Sequence, residues 1–338
     1  MDIIDKVLKE VSDSADDDSG LLVFGEPGQL PSEFSEDNFH GITKSQDAGQ
    51  DIIFIDGGNA EIISSPNFCV HFIRVFHTIY KDRKRSSCSS DEFYVFCSAR
   101  NINKSIFYSA KLFKSKATTL TDSFFSTDFL FNSLDNRLCE KDTRLDITRV
   151  PGIMRRIAEL STALLLAGNS DDNNIVLDGD LTARISEEEK IISAISKVSK
   201  QNNVSVCALS KTSNLLTSNG GSVVALLSSK APSGAWYYSS PVCFAKLHPS
   251  SDYIFKLDTI DPDPDLNSIF SLLAANSNDP VFLGYPYGLV EADRFARISN
   301  REQEMLKTIF MAKAGKDWSS IETASKALDA HSVLDNLS

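Results

Sequence analysis

Two short stretches of this chain end an apolar run in aspartate followed by glycine: DIIFIDGGNAEI at 51–62 and NIVLDGDL at 174–181. Each strand-like run delivers a carboxylate, Asp56 or Asp178, to the point where the chain turns, and Asp180 adds a third acid two residues on. Ligand sites in α/β sheets gather at the carboxyl ends of strands, where side chains from several strands converge. A following glycine lets the backbone turn and leaves room for a ligand. Carboxylates gathered in this way repel one another unless cations sit among them, so the pattern points to a Mg2+ or Mn2+ site. A single Asp-Gly is ordinary turn chemistry. Its repetition after two apolar runs is what favours a metal clamp. Asp180 ranks below the other two because capping a local turn would explain it.

Other residues have the right chemistry and open alternatives. Glu159 lies mid-helix in MRRIAELSTALLLAG, either on a solvated stripe with Arg155 and Arg156 or turned toward the strand ends as a further ligand. Lys211 follows the run VSVCALSK and is a surface lysine or a partner for a phosphate or a nucleophilic water. In LGYPYGLVEADRFARI at 283–298, Tyr285 and Tyr287 are either core aromatics or platforms for a base. His331, flanked by Asp329 and Asp335, stands in a C-terminal segment whose Val333, Leu334 and Leu337 suggest docking. The five histidines form no metal-ligand pair, and no Walker A, GxGxxG or GxSxG sequence is present. Nucleotide hydrolysis, Rossmann-type hydride transfer and the serine hydrolase elbow therefore lack support.

The elements that must position these groups follow from periodicity. Apolar runs predict strands at 51–56, 67–80 and 93–100, the last two joined by a polar, basic loop, KDRKRSSCSSDE. Residues 104–117 continue the β-like pattern. Pro151 opens a helix that closes at Gly168, followed by a strand at 174–178, a helix at 186–200 and a strand at 203–209. Alternating helix and strand is the rhythm of a parallel sheet section. Two β segments at 235–248 and 252–258 precede helices at about 266–276, 289–314 and 317–328. At the N-terminus, 3–12 has helical spacing and 13–20 (DSADDDSG) breaks it. The expected division is 1–50, a helix with an irregular acidic segment, and 51–338, the domain carrying the chemistry.

At 338 residues the chain has ample length for a large core, and its formal charge of −12 argues against a protein that coats polyanions. That argument weakens where an acidic site holds divalent cations, whose charge the formal count omits. Six cysteines without CxxC spacing, no signal-peptide pattern and no long apolar run lead to the expectation of a soluble, cytoplasmic protein without a membrane segment.

Taken in order, IIFIDGGNAEI, the helix with Glu159, IVLDGDL, ALSKTS and LGYPYGLVEADRFARI resemble the NurA nuclease family over roughly residues 50–335. That archaeal (and partly bacterial) family works with the hexameric HerA translocase. The resemblance implies an α/β fold, an RNase H-like mixed sheet flanked by helices with additional C-terminal helices. It further implies a homodimer and Mn2+- or Mg2+-dependent cleavage of DNA, with two ions. The implied activities are a 5′-to-3′ exonuclease and a single-strand endonuclease serving end resection in recombinational repair. Carried over by position, Asp56, Glu159 and Asp178 would bind metal, and Lys211 and Tyr285 would act near the scissile phosphate. Asp293 stands where the family often has histidine, so its role is open. Two other readings compete: a non-catalytic RNase H-like scaffold that caps the translocase ring and guides DNA, and a nuclease acting on RNA.

Overall fold

Strand β1 (Ile52–Ser65) does not stop at Asp56 but runs on through Gly57 and Gly58 for nine more residues. The turn expected there is absent because β2 (Phe68–Lys81) pairs with β1 along its whole length, antiparallel, from Ile52↔Tyr80 to Ser65↔Phe68. What ends near Asp56 is a different pairing. The parallel partner β6 (Asn174–Asp178, numbered in chain order with the strands below) matches β1 only from Ile52↔Asn174 to Ile55↔Leu177. Asp56 and Asp178 thus stand one residue beyond the last matched pair on two neighbouring parallel strands.

The computed structural model describes residues 2–15, 22–23, 33–43, 51–115, 118–139, 143–170 and 172–325. The chain divides into two compact units, one of residues 49–206 with 288–338 and one of residues 1–48 with 207–287.

In the first unit, β2 pairs with β3 (Lys84–Ile102), β3 with β4 (Ser105–Lys114) and β4 with β5 (Phe129–Asn132), all antiparallel. The unit also holds helices α1 (Asp122–Ser126), α2 (Val150–Gly168), α3 (Ser186–Asn202), α4 (Tyr287–Ala296) and α5 (Asn300–Ala314). An antiparallel meander whose first strand also takes a parallel neighbour through a helical crossover is the RNase H-like arrangement, a mixed sheet flanked by helices. The segment read as a basic loop, KDRKRSSCSSDE, is mostly the start of β3. Asp82 and Arg83 alone make the turn, with φ of 49° and 62°, the left-handed pair that a two-residue hairpin needs. Asn103 and Lys104 repeat the device between β3 and β4.

Helix α2 starts with Pro151 in its first turn and buries Met154, Ile157, Ala158, Leu160 and Ala163. It packs on the sheet and on α3. The stretch expected as one helix at 289–314 is two. Ser299 interrupts it by taking extended backbone and accepting a hydrogen bond from Glu302 N at 3.2 Å, which restarts the chain as α5. Leu306 and Phe310 of α5, with Trp318 and Ile321 beyond it, lie against Ile62, Ile63, Val70 and Phe72.

The other unit contains antiparallel strands Phe39–Gly41, Trp236–Tyr238, Cys243–Lys246 and Phe255–Thr259, the last pairing with residues 207–210. The run 235–248 is split because Ser240 takes φ 72° and Pro241 has no N–H for a ladder. Val223, Leu226 and Leu227 pack with Trp236, Tyr238 and Phe244 as its core. The N-terminal helix, Ile3–Ala15, leaves Ile3, Ile4, Val7, Leu8 and Val11 more than half exposed.

Candidate metal centre

Side chains alternate across a strand, and β1 uses that alternation to meet two helices. Gly57 faces α2: a Cβ there would run into Glu159 Oε1 and lie 2.9 Å from Arg155 Cγ. Gly58 faces the end of α4, where a Cβ would collide with the carbonyl of Ala296. Further up the same face, Gly288 lets α4 lie directly on the Phe54 ring. The glycines after Asp56 thus make room for the protein's own helices. The sequence-based expectation that they clear space for a turn and a ligand is corrected on that point.

Asp56 lies on the face of β1 that carries Phe54 and Gly58, so it looks toward α4 and Asp293. Asp56, Asp178 and Asp293, each half-buried, offer carboxylate oxygens that all lie within 4.8 Å of one another. Three hard oxygen donors at this spacing suit Mg2+ or Mn2+; across a Mg2+ ion, opposite ligand oxygens stand about 4.2 Å apart. Asp56 Oδ1 also accepts from Gly57 N at 2.7 Å, and Asp293 Oδ2 pairs with Arg297 at 2.8 Å.

Glu159 lines the same cavity, about 360 Å3 in volume, but is not part of the three-carboxylate group. It rises from the opposite face of the sheet, buried in α2, with Arg155 Nε 3.3 Å from its Oε1. Burial pushes its carboxyl up to about 7; the guanidinium groups of Arg155 and Arg156 oppose the rise, and the charges of Asp178 and Glu188 add to it. Of the two readings of this residue, the solvated stripe is excluded.

Asp180 also lines the cavity, yet its oxygens are taken up by the protein. Oδ1 accepts from Thr182 N at 3.0 Å and Oδ2 from Arg184 at 2.7 Å, while Arg156 donates to the Asp180 carbonyl at 2.8 Å. These bonds fix the turn after β6, where Gly179 takes φ 111°. Its part here is to hold that turn and two arginines.

Lys211 and Tyr285 belong to the other unit and meet each other there, Lys211 Nζ lying 5.4 Å from the Tyr285 ring centroid. Tyr285 is fully buried, its ring 5.0 Å from Phe255 and 5.1 Å from Phe282. A ring so enclosed is a core aromatic with no open face for a base. His331 lies outside the described residues.

Sequence reasoning missed two groups. One is the arginine set of Arg155, Arg156 and Arg184, whose signal was the i, i+4 spacing of Arg155 and Glu159 at the start of a helix. The other is Glu291, two residues before Asp293, which is buried and accepts from Thr78 Oγ1 at 3.2 Å, Tyr80 OH at 2.9 Å and Arg85 Nη1 at 2.7 Å. These bonds tie α4 to β2 and β3 and hold Asp293 over the strand ends.

No family model matches the chain, and no curated protein sequence matches it. Among solved structures it is similar to the NurA nuclease from Sulfolobus solfataricus, with a TM-score of 0.54 and 12% identity over 93% of this chain and 95% of that one. Weaker likenesses are to the catalytic domain of human endonuclease V (TM-score 0.33, 12% identity, 74% of this chain and 82% of that one) and to Aquifex aeolicus Argonaute (0.30, 11%, 74% and 28%). The chain therefore has the fold of the NurA nuclease. Among the described residues no helix is long and apolar enough to cross a membrane.

Proposed function

We propose that this chain is a divalent-metal-dependent deoxyribonuclease of the NurA type. The observation that carries the proposal is the meeting of Asp56, Asp178 and Asp293, from two strands and a helix far apart in sequence, at oxygen separations suited to a hard cation. The NurA-like fold supports it. Asp56, Asp178 and Asp293 would hold the ion, and Glu159 would serve a second one. A bound Mn2+ or Mg2+ would supply Lewis-acid charge to a phosphodiester and lower the pKa of a neighbouring water.

The chain's own residues do the rest. Arg155 keeps Glu159 close to the cavity, and because burial pushes the metal-free carboxyl up to about 7, taking on the second ion would release its proton near neutral pH. Gly57 and Gly58 let α2 and α4 approach the strand without displacing Asp56. A role for Lys211 and Tyr285 near the scissile phosphate rests on the family resemblance alone; within their own unit Lys211 Nζ lies 5.4 Å from the Tyr285 ring centroid. By the same resemblance the protein would act as a homodimer on DNA ends with a HerA-type hexameric ATPase, cutting single strands internally and double-stranded ends from 5′ to 3′ in end resection.

The test is digestion of end-labelled single- and double-stranded DNA in Mn2+ by wild type, Asp56→Ala and Asp178→Asn. Cleavage by the wild type and none by either variant is expected. Equal cleavage by all three would place the activity elsewhere, and no cleavage by the wild type would leave the non-catalytic scaffold as the better reading.

A further inference from the structure

Beside the acidic cavity lies a second one of about 320 Å3, and its lining is of the opposite character. Five arginines face it, Arg137, Arg149, Arg155, Arg156 and Arg184, against a single carboxylate, Glu188. The two cavities share Gly152, Arg155, Arg156 and Arg184, so they adjoin. In a chain whose formal charge is −12, five guanidinium groups around one small groove are a marked local reversal.

Ion pairs, with Glu188 in the groove and with other carboxylates around it, explain how they are held together. Arg184 pairs with Asp180 at 2.7 Å, Arg137 with Asp135 at 3.0 Å, and Arg155 with Glu159 at 3.3 Å. Arg156 bridges Glu188 at 3.4 Å and Asp180 at 3.5 Å. Each guanidinium has five N–H donors in a planar fork that matches a phosphate, and for Arg155, Arg156 and Arg184 these pairs engage at most two of its three nitrogens. Arg149, exposed at the entrance to α2, makes no ion pair among the described residues. Gly152 adds no bulk to the lining, and a Cβ there would meet nothing within 4 Å.

The structure assigns this arginine-lined groove, we infer, as the binding site for the backbone phosphates of a nucleic-acid strand next to the phosphate held at Asp56, Asp178 and Asp293. The inference rests on the nuclease reading for the phosphate at the carboxylates, while the groove itself is a phosphate site on its own chemistry. Its consequence is positional. Arg155, Arg156 and Arg184 line both cavities while Arg137 and Arg149 line only the groove, so a strand is gripped on one side of the cut and the arginines fix which phosphate reaches the carboxylates.

The test is fluorescence anisotropy of a labelled oligothymidylate in EDTA, across a salt series, so that no metal bridges the strand to the carboxylates. The proteins are wild type, Arg149→Glu, Arg137→Glu/Arg149→Glu, Arg149→Lys and Asp56→Asn, with circular dichroism to confirm folding. Loss of each phosphate contact should lower the log–log salt slope by about 0.7. The double variant should therefore lose about 1.4 in slope and at least tenfold in affinity at low salt, with Arg149→Lys close to wild type. Asp56→Asn should keep arginine-dependent binding while losing cleavage in Mn2+. Unchanged affinity and slope in the folded double variant would overturn the groove. Arginine-dependent binding by a wild type that never cleaves DNA would sink the nuclease reading alone.

Discussion

Glu159→Gln isolates the strain that burial places on one carboxyl group. In the folded chain the Glu159 carboxyl is pushed from an ordinary 4.5 to about 7, mainly by burial, with Arg155 and Arg156 offsetting part of the penalty. Each tenfold change in proton affinity is worth about 1.4 kcal/mol. The folded state therefore holds this proton more tightly than the unfolded chain by about 3 kcal/mol. The stabilisation is fully present below pH 4.5 and is lost as pH rises through about 7. Glutamine has the same shape and no charge, so the variant should lack this component of the pH dependence. The assay is urea denaturation of metal-free protein in EDTA at pH 5 and pH 8. Going from the lower to the higher pH, the wild type should lose about 2 to 3 kcal/mol relative to Glu159→Gln. Metal binding to the wild type should also strengthen across the same window as the proton leaves. Parallel stability profiles for the two proteins would refute the burial argument.

Substitutions at three other positions probe the geometry around the site. Asp293→Asn should weaken Mn2+ binding by at least about 10-fold, since even partners behind the ligands are worth that much, while moving the melting temperature little, since the exposed pair it breaks with Arg297 contributes about 0.5 kcal/mol at most; calorimetric titration and melting curves check both. Gly58→Ala should cost about 1 to 3 kcal/mol because its Cβ meets the rigid Ala296 backbone, and urea melts should show it. Glu291→Ala should cost about 2 to 3 kcal/mol, less than a fully buried pair because Arg85 is half exposed, and should lower cleavage by loosening Asp293; Glu291→Gln should be milder in both measurements.

How much of this was legible depended on whether a signal was local. The runs 52–55 and 175–177 are apolar throughout, and a strand formed over each, the first of them continuing beyond its expected end to Ser65. Asp56 and Asp178 were readable for that reason. The continuation of β1 through Gly57 and Gly58 was not, because local preference favours a turn and only the long partner β2 overrides it. The basic run at 84–92 hid a strand in the same way: its outer residues are exposed and polar, and a twisted hairpin needs no apolar face at its tip. Glu159 was open between a solvated stripe beside two arginines and a ligand turned toward the strand ends; tertiary packing turns it inward, where burial changes its chemistry. Asp293 drew notice through the resemblance alone, since on its helix it has the spacing of an ordinary i, i+4 pair with Arg297.

The central claim is that Asp56, Asp178 and Asp293 form one cation site. It is tested most directly by anomalous diffraction from crystals of the protein soaked in Mn2+, with Asp178→Asn as the control. The account predicts an anomalous peak coordinated by oxygens of Asp56, Asp178 and Asp293 in the wild type, and its loss or marked weakening in the variant. A wild-type map with Mn2+ bound elsewhere, or with none between these three carboxylates, would contradict it.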